Sequence, residues 1–213
     1  MLAPEINEKP STQGLSAGTA TGRVYSDQTV IYHQGDDISG FYRVNSGVVM
    51  VYRLLEDSRR QIAGFFTQGD YFGLSAGERH KDTAVTVTTS NVARLTMADV
   101  SQNPKLQKDV FEITCGQLDA AQQLITTLTK KSASEKVATF LTMLAQRQHR
   151  AGEEFDIRLP MSRLDIADYL GLSIETVSRR LTALRKQNVI SLPDRNTVRV
   201  CQFSELENMA KVH

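Results

Sequence analysis

The sequence predicts an α+β chain with a strand-rich N-terminal half, one long helix and a C-terminal domain built on two short helices and a β-hairpin. Three observations carry this. As far as about Met97 the apolar segments are β-branched and aromatic, and turn residues punctuate them. After Pro104 the apolar period switches to steps of three and four. Ser162–Ile190, SRLDIADYLGLSIETVSRRLTALRKQNVI, has the caps and the glycine of two short helices joined by a tight turn.

Taken in order, residues 1–22 are rich in Ser, Thr, Gly, Ala and Pro and lack apolar periodicity, which predicts a disordered tail. Residues 23–102 form the strand-rich domain. TVIYHQG, GFYRVNSGVVMVYRLL and RQIAGFF read as strands, separated by turns at Gln34–Asp37, Asn45–Gly47, Glu56–Ser58 and Gln68–Asp70. Many short strands at this spacing suggest a sandwich, barrel or roll. Residues 103–131 form the long helix. Leu106, Val110, Ile113, Gln117, Ala120, Leu124 and Leu128 fall on one narrow stripe with a polar break, the pattern of a two-stranded coiled coil, so this stripe is the expected dimer interface, the alternative being that it packs against the chain's own β-domain. Residues 132–213 form the second domain. Ser132-x-x-Glu135 opens its first helix as a capping box, and Phe155–Leu159 alternates like a short strand.

Within Ser162–Ile190, Ser162 and Asp165 form a second capping box. Leu164, Ile166, Ala167 and Leu170 are the expected core contacts of the first short helix, and Gly171 ends it in the left-handed conformation. Ser173 caps the next helix, which buries Val177, Leu181 and Leu184. Ile190–Leu192, a turn at Pro193–Thr197 and Val198–Cys201 follow as a β-hairpin. Two helices at this spacing with a wing behind them are a winged helix-turn-helix, which reads double-stranded DNA. The second helix would then present Ile174, Glu175, Thr176, Ser178, Arg179 and Arg180 to the bases. Arg179 can make a two-point contact to guanine O6 and N7, Glu175 can accept from cytosine N4, and Ile174 can lie against a thymine methyl. In the wing, Arg195 and Arg199 are the expected phosphate contacts.

Charge agrees with this assignment. The net charge is +1, but residues 1–129 hold 11 Lys/Arg against 14 Asp/Glu, whereas residues 130–213 hold 14 against 10. The half with the suspected reading head is the basic one, as phosphate neutralisation requires. Cys115 and Cys201 lie far apart and read as ordinary packed or half-exposed thiols. No apolar run is long enough to span a membrane, and no secretory start is visible, so a cytoplasmic location is expected. No nucleophile–base pairing, metal spacing or phosphate-cradling loop points to catalysis.

QGD at Gln34–Asp36, GDYFG at Gly69–Gly73 and RLPMSRLDIADYLGLSIETVSR at Arg158–Arg179 resemble the CRP/FNR superfamily of bacterial transcription regulators along nearly the whole chain. The last run is most similar to the FixK branch, which controls microaerobic and nitrogen-fixation genes. The resemblance implies a cyclic-nucleotide-binding-like jelly roll, a dimerisation helix, a homodimer and an activator that works with RNA polymerase. Glu175, Ser178 and Arg179 match the Glu-x-x-Ser-Arg motif, which implies a TTGAT-N4-ATCAA palindrome.

Two departures bear on the effector. Residues 1–22 carry none of the cysteines with which oxygen-sensing relatives ligate an iron–sulfur cluster. Where cyclic-AMP receptors hold the ribose and phosphate, the aligned positions are Ser75 and Asp82-Thr83. An aspartate there repels a cyclic phosphate. The expectation is therefore a regulator without a cofactor. The alternative is a ligand-gated regulator with a small molecule, cyclic nucleotide or haem in the roll, for which His33 and His80 are the candidate haem ligands.

Overall fold

The computed structural model describes residues 22–148 and 152–211. The tail expected over residues 1–22 lies outside the described residues except for Gly22.

The N-terminal strands are β1 (Arg23–Tyr25), β2 (Val30–Tyr32), β3 (Phe41–Ser46), β4 (Val49–Leu54), β5 (Arg60–Phe66), β6 (Tyr71–Phe72), β7 (Thr83–Thr86) and β8 (Ser90–Leu95). They form two four-stranded antiparallel sheets in the orders β1-β8-β3-β6 and β2-β7-β4-β5. Tyr32, Tyr42, Val44, Val49, Val51, Phe72, Ala84 and Val92 are buried together as the core of the roll. β4 is buried along both faces at Val49, Met50 and Val51. Val49 and Val51 join the roll core, whereas Met50 belongs with Ile62, Phe65, Val85 and Val87 to the core of the C-terminal domain. Alternation along one strand thus serves two cores, so the second sheet is sandwiched between the first sheet and the helical domain.

β7 is buried although half its residues are threonine. The Thr86 hydroxyl donates to the Ser26 carbonyl at 2.6 Å and accepts from the Thr29 amide at 2.9 Å. The Thr83 hydroxyl accepts from the Gln34 amide at 3.0 Å. These bonds remove the desolvation cost of the buried hydroxyls.

A short helix α1 (Met97–Gln102), opened by a Thr96–Asp99 capping box, leads into α2 (Pro104–Lys130). Asn103 caps α2 and Pro104 occupies its first turn, where a missing amide costs nothing. The stripe expected to form a dimer seam is largely engaged by the chain itself. Leu106 is buried with Phe41, Tyr71, Leu95 and Val100, and Val110 and Ile113 pack on the same cluster. Gln117 donates to the Tyr71 carbonyl on β6, so the polar break in the stripe is a tie to the roll. Leu128 lies against the turn at Gly171, while Leu124 is half-buried and Ala120 exposed. α2 carries a second apolar face instead. Phe111, Leu118 and Ile125, spaced seven residues apart, are 67, 60 and 61 % exposed. The cause is the apolar cluster at the end of the roll, which takes up the first face and leaves the second uncovered.

The C-terminal domain contains α3 (Ala133–Arg147), β9 (Phe155–Arg158), α4 (Arg163–Leu170), α5 (Ile174–Lys186), β10 (Ile190–Ser191), β11 (Thr197–Val200) and α6 (Phe203–Ala210). Its antiparallel sheet has the order β10-β11-β9. The core gathers Phe140 and Leu141 of α3, Ile157 of β9, Ile166 of α4, Leu181 of α5 and Leu206 of α6. No helix among the described residues is long and apolar enough to cross a membrane.

Candidate nucleic-acid interface

Local hydrogen bonds define the two short helices. The Ser162 hydroxyl accepts from the Asp165 amide at 3.1 Å, and the Asp165 carboxylate accepts from the Ser162 amide at 2.9 Å. Gly171 closes α4 with φ +61°, and the amide of Leu172 donates to the Ala167 carbonyl at 3.0 Å. A Cβ at Gly171 would meet only Leu128 Cδ2 at 3.7 Å, an ordinary contact, so glycine is needed there for its backbone freedom. Gly171→Ala is expected to cost about 1–2 kcal/mol, which lowers the midpoint of thermal unfolding by roughly 2–8 °C. An unchanged melting curve would show that the turn tolerates a side chain.

Ile166, Ala167 and Leu170 are buried as expected, but Leu164 is 51 % exposed, since it lies in the first turn of α4 on the side away from the domain core. Ser173 caps α5 by accepting from the Thr176 amide at 3.2 Å. Val177, Leu181 and Leu184 are buried beneath it.

The outer face of α5 is open. Ile174, Glu175, Ser178, Arg179 and Arg180 are exposed, whereas Thr176 is half-buried with its hydroxyl 3.1 Å from that of Ser173. Glu175, Ser178 and Arg179 share one helical face, while Arg180 lies about 100° round from Arg179. A shallow groove continues that face and is lined by Ser178, Arg179, Thr182, Ala183 and Lys186. Thr182 and Lys186 were not singled out from the sequence; their spacing of four and seven from Ser178 and Arg179 is the signal that places them on this face. The Glu175 carboxyl is held below its usual range, first by the backbone amide at the helix start, then by the Ser173 hydroxyl and the Arg179 charge. It therefore stays ionised at neutral pH beside Arg179.

The two wing arginines differ. Arg195 is exposed in the turn between β10 and β11, which is shaped by the Asn196 amide donating to Asp194 at 2.7 Å. Arg199 instead makes a two-point pair with Asp156 on the neighbouring strand β9, at 2.8 and 3.2 Å. A phosphate would have to compete with that carboxylate. Sequence reading missed this because the partner lies across a strand pairing of 43 residues' separation.

The roll bears on the effector. Tyr32, Tyr42 and Phe72 stack with centroids 5.3–6.3 Å apart, and buried His80 lies on Tyr32 at 3.7 Å. Burial pushes the His80 imidazole below its usual value, against the opposing pull of Asp36 and Asp82. Gly73 passes so close that a Cβ would lie 3.1 Å from the Tyr42 ring. Asp82 pairs with Arg53 at 2.9 Å, Ser75 is exposed, and His33 is exposed in a turn. These residues do not fit a cyclic nucleotide. The position that should neutralise the phosphate carries a carboxylate, and the nearby guanidinium of Arg53 is committed to it. His33 and His80 do not converge on a shared haem site, since one faces solvent and the other is stacked inside the roll.

Residues 135–209 match the model of the Crp-like helix-turn-helix domain, and residues 22–102 match that of the cyclic nucleotide-binding domain. The chain is 36 % identical over 185 residues to the nitrogen fixation regulation protein FixK of Rhizobium meliloti, spanning 87 % of this chain and 85 % of that protein. It is 34 % identical to a probable transcriptional activator of Rhizobium leguminosarum bv. viciae, over 84 % of this chain and 77 % of that one. The solved structure of FixK2 from Bradyrhizobium japonicum superposes with a TM-score of 0.82 at 32 % identity, covering 91 % of this chain and 98 % of the other.

Proposed function

Because the chain belongs to the CRP/FNR family of transcription regulators, in its FixK branch, we propose that it binds DNA as a homodimer, without a cofactor, at a palindrome of the type TTGAT-N4-ATCAA. The observation that carries this is the open face of α5, on which Glu175, Ser178 and Arg179 stand together, exposed and covered by none of the described residues. In this role Arg179 reads guanine and Glu175 accepts from cytosine on the opposite strand. Ser178 is small enough to let both approach. Arg195 at the tip of the wing supplies a phosphate contact. Arg180, away from the central face, is better placed for the backbone than for a base edge.

The homodimer forms along Phe111, Leu118 and Ile125. Seven-residue spacing of exposed apolar side chains is the pattern of a two-stranded coiled coil, and a two-fold dimer presents two reading heads about one helical turn apart. The bound dimer then recruits RNA polymerase as an activator.

The packed aromatic stack and the Asp82–Arg53 pair support independence from nucleotide. Site selection with the ligand-free protein tests the whole scheme. It should return the TTGAT palindrome, and added cyclic AMP or cyclic GMP should leave the affinity unchanged. Binding that emerged only with added nucleotide would support the ligand-gated alternative and overturn this one.

A further inference from the structure

The reading head is seated on the roll by a polar clamp. Arg60, at the start of β5, spans two carboxylates one turn apart on α4. Its Nη2 donates to Asp165 at 2.6 Å and lies 2.7 Å from Asp168, and its Nε donates to Asp168 at 2.8 Å. The three side chains are only 24, 16 and 22 % exposed. The Tyr52 ring lies beneath the guanidinium at 5.4 Å. Asp165 is also the carboxylate that closes the Ser162 capping box, so Arg60 holds α4 at its defined first turn.

The same interface has an apolar part. Phe65 of β5 meets Phe140 of α3 and Tyr169 of α4 at 6.4 and 5.6 Å between centroids, and Arg147 of α3 donates to the Phe65 carbonyl at 2.7 Å. Aromatic faces can slide past one another, whereas a planar fork between two carboxylates accepts one orientation. A largely buried ion pair contributes little net stability compared with apolar residues of the same volume, so its use here points to a geometric purpose. α4 also carries the turn at Gly171, against which Leu128 of the dimer helix rests. α5 packs on both α4 and α3, so its direction relative to α2 depends on the seat of α4 on β5 as well as on the α2–α3 connection.

We infer that Arg60, through Asp165 and Asp168, is a positioning residue that fixes the reading head on the roll without any effector and thereby sets the half-site spacing the dimer accepts. The inference rests on the dimeric DNA-binding scheme above. In a chain whose roll interior is filled by its own aromatic side chains, this clamp takes the place of a ligand as the element that orients the head.

Two measurements on the full-length protein test it. In the first, affinities are compared on palindromes whose central spacer is lengthened or shortened by single base pairs. The native protein should prefer one spacer length. Arg60→Ala, and Arg60→Lys, which lacks the fork, should bring neighbouring spacer lengths to similar affinity while the base preference within each half-site persists. Charge exchange, Arg60→Asp with Asp168→Arg, should restore part of the spacing preference. Retention of the full preference in Arg60→Ala, with only a lower melting temperature, would overturn the inference and leave the pair a stabilising contact. The second measurement needs no DNA. Spin labels are attached at Asp27→Cys in the roll and Gln187→Cys after α5, with Cys115 and Cys201 changed to serine. A narrow distance distribution should broaden in Arg60→Ala; an unchanged one would refute the clamp. Should the native protein select no palindrome, the dimeric scheme fails by itself, and the label distances still decide the clamp.

Discussion

Arg179→Ala should weaken binding to the cognate palindrome by about 1–3 kcal/mol per half-site contact, roughly 5- to 150-fold, and relax the preference at the G·C pair. Three facts set this expectation. Arg179 is exposed on the open face of α5, one turn after Glu175. Its five donors form a planar fork that matches guanine O6 and N7. Its loss also leaves Glu175, ionised at neutral pH, facing phosphates with no cationic neighbour one turn away, so the measured cost includes that repulsion as well as the missing hydrogen bonds. Arg179→Lys should cost less in affinity, because it keeps a cation beside Glu175, but should still relax the preference at the G·C pair, because an ammonium lacks the fork. Competition binding against half-sites carrying each base at the G·C position separates the outcomes. An equal loss on every sequence would mean that Arg179 touches only phosphate.

Why some of this was legible in the sequence and some was not depends on the range of the interactions. The caps of α3, α4 and α5 and the left-handed Gly171 involve residues within four positions of one another, so spacing alone identifies them. The strand character of β7 was legible in its β-branched residues but its full burial was not, because its threonines are buried by hydrogen bonds to Ser26, Thr29 and Gln34, which lie elsewhere in the chain. α6 was missed for a similar reason: its amphipathic turn is short, and Leu206 becomes core only against α3. For Glu175, Ser178 and Arg179 helical spacing was sufficient to place them on one exposed face of α5. For Arg199 they were not, since the pairing of β11 with β9 supplies Asp156. Arg60 shows the limit most clearly, as its partners Asp165 and Asp168 lie more than a hundred residues away, at separations of 105 and 108.

The proposed dimer face gives the sharpest contrast between two readings of one helix. Leu118→Glu is expected to yield a folded monomer that no longer binds the palindrome with the affinity of the native protein. Leu118 is 60 % exposed, so the substitution leaves the core of a single chain intact. In a coiled coil it would bury a carboxylate against its own copy across the two-fold axis, with no cation to pair it, which is a heavy desolvation cost. A monomer must then bind one half-site alone, and the advantage of tethering two reading heads is lost, a factor on the order of a hundred or more. Ile113→Glu should behave differently. Ile113 packs on the cluster of Phe41, Tyr71, Leu95, Val100 and Leu106, so that variant loosens α2 from the roll and lowers the melting temperature. Sedimentation and thermal unfolding of the two variants side by side distinguish the faces. Monomers with native stability from Leu118→Glu and a destabilised protein from Ile113→Glu place the seam on Phe111, Leu118 and Ile125. The reverse pattern would return it to the stripe of Leu106, Ile113 and Gln117, and would require the contacts of that stripe with the roll to open when two chains meet.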